Sequence, residues 1–432
     1  MTGSHQETST AEYPSAVGIT KGYANYALWL LTAINLLNYL TRNAIFALFD
    51  PVKRDLNLTD AHLGWLGSAY VLVFSVASLP AGVMGDIGSR RVVIAGGVAL
   101  WSLATSLSGL VDDFGWLLFT RAMVGLGGAA AATASAALVA DYFPGRRRST
   151  AMSIFMAGLA VGGVLGILLA GQIEHRYGWR VAFLVIGLPG FLLAALILRL
   201  KDPTRPKSPA RQGADALLAV FNDLAGIWRR ILRTRTLVAV FIGGAFISFG
   251  MNGLVGWAPT FISRELALTP ARAALLLGTY GLAAGIAGTV AGGVVADWLR
   301  TRIPGAKLVT TAIGFFVGAP LLVWLLYIRD MQVFIPVFCG AFFFLTWYNG
   351  PLTAVIFDVT PPRIATTVTG AYLMFIHLAG DAIAFPLVGS LSDRFGIERA
   401  ILVLPLAAIL GGAIVLSAVK ALAKDTAAAA PG

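Results

Sequence analysis

Long apolar runs recur along nearly the whole chain, separated by short charged breaks. The runs lie near 23–48, 61–84, 92–111, 116–140, 148–172, 180–200, 236–262, 271–296, 307–328, 332–356, 364–390 and 398–420. Each meets the roughly 20 apolar residues that a helix needs to cross a bilayer. The best-marked breaks read GDIGSRR, DD at 112–113, DYFPGRRRS, EHRYGWR, DWLRTR and SDRFG. The pattern predicts an all-α integral membrane protein of twelve transmembrane helices.

Composition narrows this further. Of 432 residues, 57% are hydrophobic and only 12% charged, against about a quarter charged in a soluble domain. The chain lacks the polar side chains to cover a water-facing surface. Its net charge of +11 would raise nucleic-acid binding in a soluble protein. Here the basic residues cluster in short loops, so no nucleic-acid partner is expected. With twelve spans both termini lie on one side. Placing that side in the cytoplasm puts 21 Lys and Arg inside and 9 outside, with Arg42 and Arg121 in spans. By the positive-inside rule both termini are expected in the cytoplasm, with the protein in the cell inner (plasma) membrane.

Residues 1–20 are polar and lack the basic and apolar regions of a signal peptide, so a disordered cytoplasmic tail is expected. A first bundle over 21–200 and a second over 236–420 flank a linker, 201–235. The linker opens Pro-rich and basic. It then carries Leu217, Leu218, Phe221, Leu224, Ile227, Trp228 and Ile231 at helical spacing beside Arg229, Arg230 and Arg233, which reads as an interfacial amphipathic helix. Residues 421–432 read as a second disordered tail. The halves carry matching stretches: GVMGD at 82–86 with GVVAD at 293–297, DYFP at 141–144 with DVTP at 358–361, and HRYG at 175–178 with DRFG at 393–396. Order and shift are nearly constant. A six-plus-six duplication is expected, of the kind that encloses a midplane site and rocks about it.

Several of these stretches also carry a family resemblance. GVMGDIGSRR, with Gly82, Asp86, Arg90 and Arg91, resembles the loop signature of the major facilitator superfamily, although Ile87 replaces a common basic residue. RAMVGLGGAA from Arg121 resembles its fourth-helix motif, and GLAVGGVLG at 158–166 its fifth-helix glycine motif. INLLNYLTR at 34–42, GTVAGGVVADWLRTRIPGAKL at 288–308 and HLAGDAIAFP at 377–386 are similar to motifs of the Spinster branch. The resemblance implies a transporter of lysolipids or sphingoid phosphates, with organic-anion symporters as the competing branch. Two departures stand out. Thr41 and Gly128 occupy the positions of the family's proposed proton-coupling carboxylates, so proton coupling does not simply carry over.

Arg42 is the sharpest chemical signal. A guanidinium at a span centre costs roughly 2.5–3.5 kcal/mol on insertion scales, and its neighbour Thr41 is neutral. Three readings are open: a cavity-facing group that binds an anion, a fixed interhelical pair, or snorkelling to the interface. Asn35 and Asn38 share its helical face. Asn252, Trp257, Trp347, Tyr348 and Asn349 could add polar and aromatic contacts, and WYNG before Pro351 could break the tenth helix. Asp381 with His377, four residues apart on one face, reads either as a coupling pair or as a bond that fixes helix eleven. Arg121 reads as a relay or as an anchor near Asp112 and Asp113. Asp86 with Arg90 and Arg91, Asp141 with Arg146, and Asp297 with Arg300 are expected to act as breakable gating pairs. The chain has one cysteine, Cys339, and four scattered histidines, with no HExxH, GxSxG or phosphate loop. No enzyme activity, cofactor or metal site is expected. The expected partners are an amphipathic or organic-anion substrate, protons and membrane lipids, and the expected state is a monomer.

Overall fold

A computed structural model describes residues 20–143, 147–201 and 226–429. The expectations for residues 1–19, the linker over 202–225, Arg146, the Asp86 side chain and residues 430–432 lie outside them.

Twelve helices span the fold. They are α1 (Lys21–Ala47), α2 (Asp60–Ile87), α3 (Arg90–Ser108), α4 (Phe114–Tyr142), α5 (Arg148–Tyr177), α6 (Trp179–Leu198), α7 (Arg235–Glu265), α8 (Pro270–Leu299), α9 (Ala306–Leu325), α10 (Met331–Asp358), α11 (Pro362–Ile376 and Ala382–Phe395, joined by a π-turn at His377–Asp381) and α12 (Ile397–Ser417). Among the described residues, eleven stretches are long and apolar enough to cross a membrane. The helix not among them is α1, whose Asn35, Asn38, Thr41, Arg42 and Asn43 lower its apolarity. The structure breaks α10 between Leu345 and Asn349, where WYNG and Pro351 predicted a break. A second π-turn, Leu277–Gly281, interrupts α8.

The duplication is visible in the backbone. Gly178 ends α5 at φ 83 and ψ 163, and Gly396 ends α11 at φ 81 and ψ 156. Only glycine adopts such angles freely, so HRYG and DRFG are the same structural device. The α1–α2 and α7–α8 loops repeat each other too. LNLTDA at 56–61 matches LALTPA at 266–271. Asn57 and Ala267 both take positive φ, at 51 and 52. Thr59 caps α2, and Thr269 caps α8.

Lipid offers no hydrophobic drive between helices, so close packing and interhelical hydrogen bonds must hold the bundle. The α1–α5 contact shows how. A Cβ on Gly162 would lie 2.1 Å from Leu36 O, and one on Gly166 would lie 2.3 Å from Leu40 O. Only hydrogen fits there, so the GLAVGGVLG stretch lets α5 rest on the backbone of α1. Asn35 and Asn43 of α1 then donate to the carbonyls of Phe155 and Gly163 of α5.

Beyond α12 the chain continues as a helix over Val419–Ala429, which corrects the expectation of a disordered tail from 421. Asp425 anchors it by accepting from the backbone N–H of Thr236 at 2.9 Å, one of the donors left unpaired at the start of α7. Within the linker, residues 226–233 are helical. Ile227 and Ile231 are buried and Trp228 packs edge-on against Phe241 and Phe375.

Candidate substrate and coupling site

Arg42 on α1 finds its counter-charge on α11, in the other half of the molecule. Its Nη2 stands 3.9 Å from Asp381 Oδ2. This is an ion-pair distance, longer than a hydrogen bond, so the two groups are not locked together. The guanidinium also lies 5.6 and 5.3 Å from the rings of Tyr39 and Tyr70, within reach of cation–π attraction.

Asp381 is fully buried. A buried carboxylate must be paired and hydrogen-bonded. Its Oδ1 accepts from Ser248 Oγ at 2.5 Å and from Asn252 Nδ2 at 3.0 Å, both on α7. Its Oδ2 faces His377 Nδ1 at 2.6 Å and then Arg42. The π-turn at His377–Asp381 sets this arrangement, and such turns recur at functional sites.

One turn further along each helix, an aromatic layer closes over the pair. Phe46 and Phe385 meet at 5.2 Å between ring centroids, and Phe49 meets Trp257 at 5.2 Å. Trp257 is fully buried and donates its indole N–H to the carbonyl of Phe385. It is therefore a brace between helices and not a cavity-facing contact, because its ring and its only donor are both used.

The other expected contacts divide. Asn35 and Asn38 are buried. Asn35 fastens α5, and Asn38 accepts from Tyr70 Oη at 3.3 Å. That bond fills the space beside Gly128, where a Cβ would lie 2.9 Å from Asn38 Oδ1 and 3.0 Å from Tyr70 Oη. Asn252 joins Asp381 directly. Tyr348 packs on Phe315, and Trp347 packs on Phe343 and Phe344. Asn349 is exposed and donates to Thr289 of α8.

Arg121 is fully buried and donates to the carbonyls of Thr41 and Arg42 at 3.4 and 3.0 Å. It props the backbone that carries Arg42. The two aspartates suggested as its partners do not reach it: Asp112 pairs with Arg180 and Asp113 caps α4. The reason is depth, because Arg121 sits two turns inside α4.

Of the expected gating pairs, those that involve Asp86 and Arg146 lie outside the described residues. Asp141 pairs with Arg90 at 2.5 Å, from α4 to α3, while Arg91 donates to the carbonyl of Leu200. Asp297 and Arg300 are exposed and make no ion pair with each other among the described residues. Water competes fully there, and Arg302 stacks on Trp298 beside them.

Sequence reasoning missed the strongest charged cluster. Arg264 at the end of α7 donates to Asp50 at 2.6 and 2.9 Å and to Asp60 at 2.7 and 2.8 Å. Lys53 and Ser392 each reach Asp60 at 2.6 Å. Asp393 accepts from the backbone N–H groups of Asp60 and Ala61 at 2.7 and 2.9 Å. This cluster ties the two halves at the face opposite the one where the described chain begins and ends, hereafter the far face. The available signal was a set of charges at the ends of four different spans.

A family model described as the Major Facilitator Superfamily matches residues 31–381. The chain belongs to the Major Facilitator Superfamily. Within the superfamily its likeness is to the Spinster branch. It is 28% identical to protein spinster of Drosophila melanogaster over 380 residues, covering 85% of this chain and 62% of that protein. It is 29% identical to an MFS-type efflux pump of Mycolicibacterium smegmatis, covering 90% of each chain. A bacterial homologue of the human lysosomal transporter Spinster, solved in an inward-facing and unoccupied conformation, superposes with a TM-score of 0.84 at 22% identity. That match covers 94% of this chain and 99% of the other. The superfamily member described here is thus a multi-pass membrane transporter with the twelve-helix, six-plus-six fold, similar in sequence and fold to Spinster proteins. It is a secondary transporter and not an enzyme.

Proposed function

We propose that the protein moves an amphipathic anion, lysolipid-like in character, across the membrane by alternating access. The observation that carries this reading is the 3.9 Å pair between Arg42 and Asp381, which joins the two halves near the middle of the fold. An arriving carboxylate or phosphate competes with Asp381 for the guanidinium, whose planar donor fork suits either group. Asp381 released in this way takes a proton, with His377 beside it as the exchanging neighbour. Coupling would then rest on α11 instead of residues 41 and 128, where this chain has Thr and Gly.

The far face is held shut by the Arg264 cluster and the aromatic layer. The ion pairs Arg90–Asp141 and Lys307–Asp358 at the opposite face each join helices of one half. With both termini in the cytoplasm of an inner-membrane protein, this is an inward-facing, monomeric carrier. Binding of a panel of lysolipids, sphingoid phosphates and organic anions to wild type and Arg42→Ala tests the reading. Retention of anion binding in Arg42→Ala overturns it. A polyspecific carrier of drugs or small organic anions, uncoupled from protons, is the second reading. The two-way 90% coverage of the mycobacterial efflux pump favours it. Uptake insensitive to Asp381→Asn and to pH would select it.

A further inference from the structure

The duplication gives the far face two related seams. One joins the end of α11 to the start of α2. The other joins the end of α5 to the start of α8. Gly389 and Gly171 occupy equivalent positions in them, 218 residues apart, and both lie close to the facing helix. A Cβ on Gly389 would be 2.2 Å from Asp60 O, and one on Gly171 would be 3.2 Å from Pro270 O.

The chemistry of the two seams differs. In the α2–α11 seam, Asp393 accepts from two N–H groups at the first turn of α2. A helix in one half is thus capped by a carboxylate from the other half. This satisfies donors that α2 cannot pair itself and places negative charge at the positive end of its dipole. Arg264 and Ser392, also from the second half, hold the Asp60 side chain. In the α5–α8 seam the acceptor of the cap and one of its two donors are lost. The residue equivalent to Asp393 is His175, which carries no carboxylate, and the residue equivalent to Asp60 is Pro270, which has no N–H. Among the described residues, the hydrogen bond across that seam runs from Gln172 Nε2 to Ala271 O at 3.3 Å.

We propose that the far face is bolted on one side only: Asp393, Asp60 and Arg264 lock the α2–α11 seam, and the α5–α8 seam is the unlocked side. Opening then requires α2 to lose its borrowed cap, and these residues set how often the far face opens. This rests on the alternating-access reading above.

The test is a pair of distance measurements by pulsed electron spin resonance on the full chain with Cys339→Ser. Labels at Trp116 and Tyr327 report the far face, and labels at Met84 and Trp298 report the opposite face; all four residues are exposed. Asp393→Ala is expected to lengthen the first distance and shorten the second, with the far-open population rising about tenfold, as for loss of a helix cap. Asp393→Asn, which keeps one acceptor, falls between. His175→Ala leaves both distances unchanged. His175→Asp with Pro270→Ala builds the missing cap and moves both distances the other way.

No shift in Asp393→Ala overturns the proposal, as does an equal shift in His175→Ala. Lengthening at the far face without shortening at the other also overturns it, since that is local fraying. Alternating access itself fails if the two distances never move oppositely in wild type on a change of pH. The bolt fails if they do so while Asp393→Ala matches wild type.

Discussion

Phe46 and Phe385 meet with their ring centroids 5.2 Å apart, each four residues beyond a member of the Arg42–Asp381 pair. Ion pair and ring contact thus lie one above the other between α1 and α11. The charged groups sit beneath an apolar lid, where low dielectric strengthens any interaction they make.

Removing one partner of a buried pair leaves the other uncompensated. Arg42→Ala is expected to destabilise the protein by about 3 kcal/mol, and Arg42→Ala with Asp381→Asn should recover part of the loss. Thermal unfolding of the three variants in one detergent measures it. A double variant no more stable than Arg42→Ala contradicts the pairing.

Phe385 is almost fully buried, so Phe385→Ala leaves a cavity costing about 3–5 kcal/mol. A different perturbation acts on the same contact from the other side. A Cβ on Gly64 would lie 2.3 Å from Phe385 O. Gly64→Ala is therefore expected to push α2 from α11 and expose the far face. Faster reaction of a cysteine placed at Ala258 with a water-soluble thiol reagent would register this.

Thr41 and Gly128 replace carboxylates that the Spinster resemblance leads one to expect. Thr41→Asp adds an acid next to Arg42 and below the carbonyl-bound Arg121. Transport measured from pH 5 to 8 should become more strongly pH-dependent than in wild type. An unchanged profile would show that position 41 has no access to the coupling step.

At the far face, outside the spans, Arg180 donates to Asp55 and holds its carboxyl below the ordinary value of 3.8, with the Trp179 N–H adding to the effect. A depressed folded-state value contributes stability above pH 3.8 and loses it as pH falls through the lower value. Asp55→Asn should lower the melting temperature slightly at pH 6, and the difference from wild type should shrink near pH 3.

Much of the architecture was legible because lipid imposes it. A spanning backbone must satisfy its own hydrogen bonds, so apolar length gives every spanning helix but the polar α1, and the loop charges give the expected orientation. The His377–Asp381 contact was legible from spacing within one helix. The Ser248 bond and the Arg264 cluster were not. That bond and the cluster's bonds between the halves join residues more than a hundred positions apart, and only the packing of α7 and α11 against each other, of α7 against α1 and of α11 against α2 brings them together. The bracing position of Trp257 was not legible because sequence does not give the rotation of a helix about its axis, which decides whether an indole faces a cavity or a neighbour.

The π-turn at His377–Asp381 amounts to one extra residue in α11. An inserted residue rotates everything after it by about 100° relative to everything before it, since a helix turns once per 3.6 residues. Phe385, Gly389, Ser392 and Asp393 all lie after it, and Tyr372 and Phe375 lie before it. The register of the lid and of the bolt is therefore written in a single widened coil. Excising one residue there would swing the whole outer segment of α11 to a different azimuth while leaving the composition of the helix almost untouched.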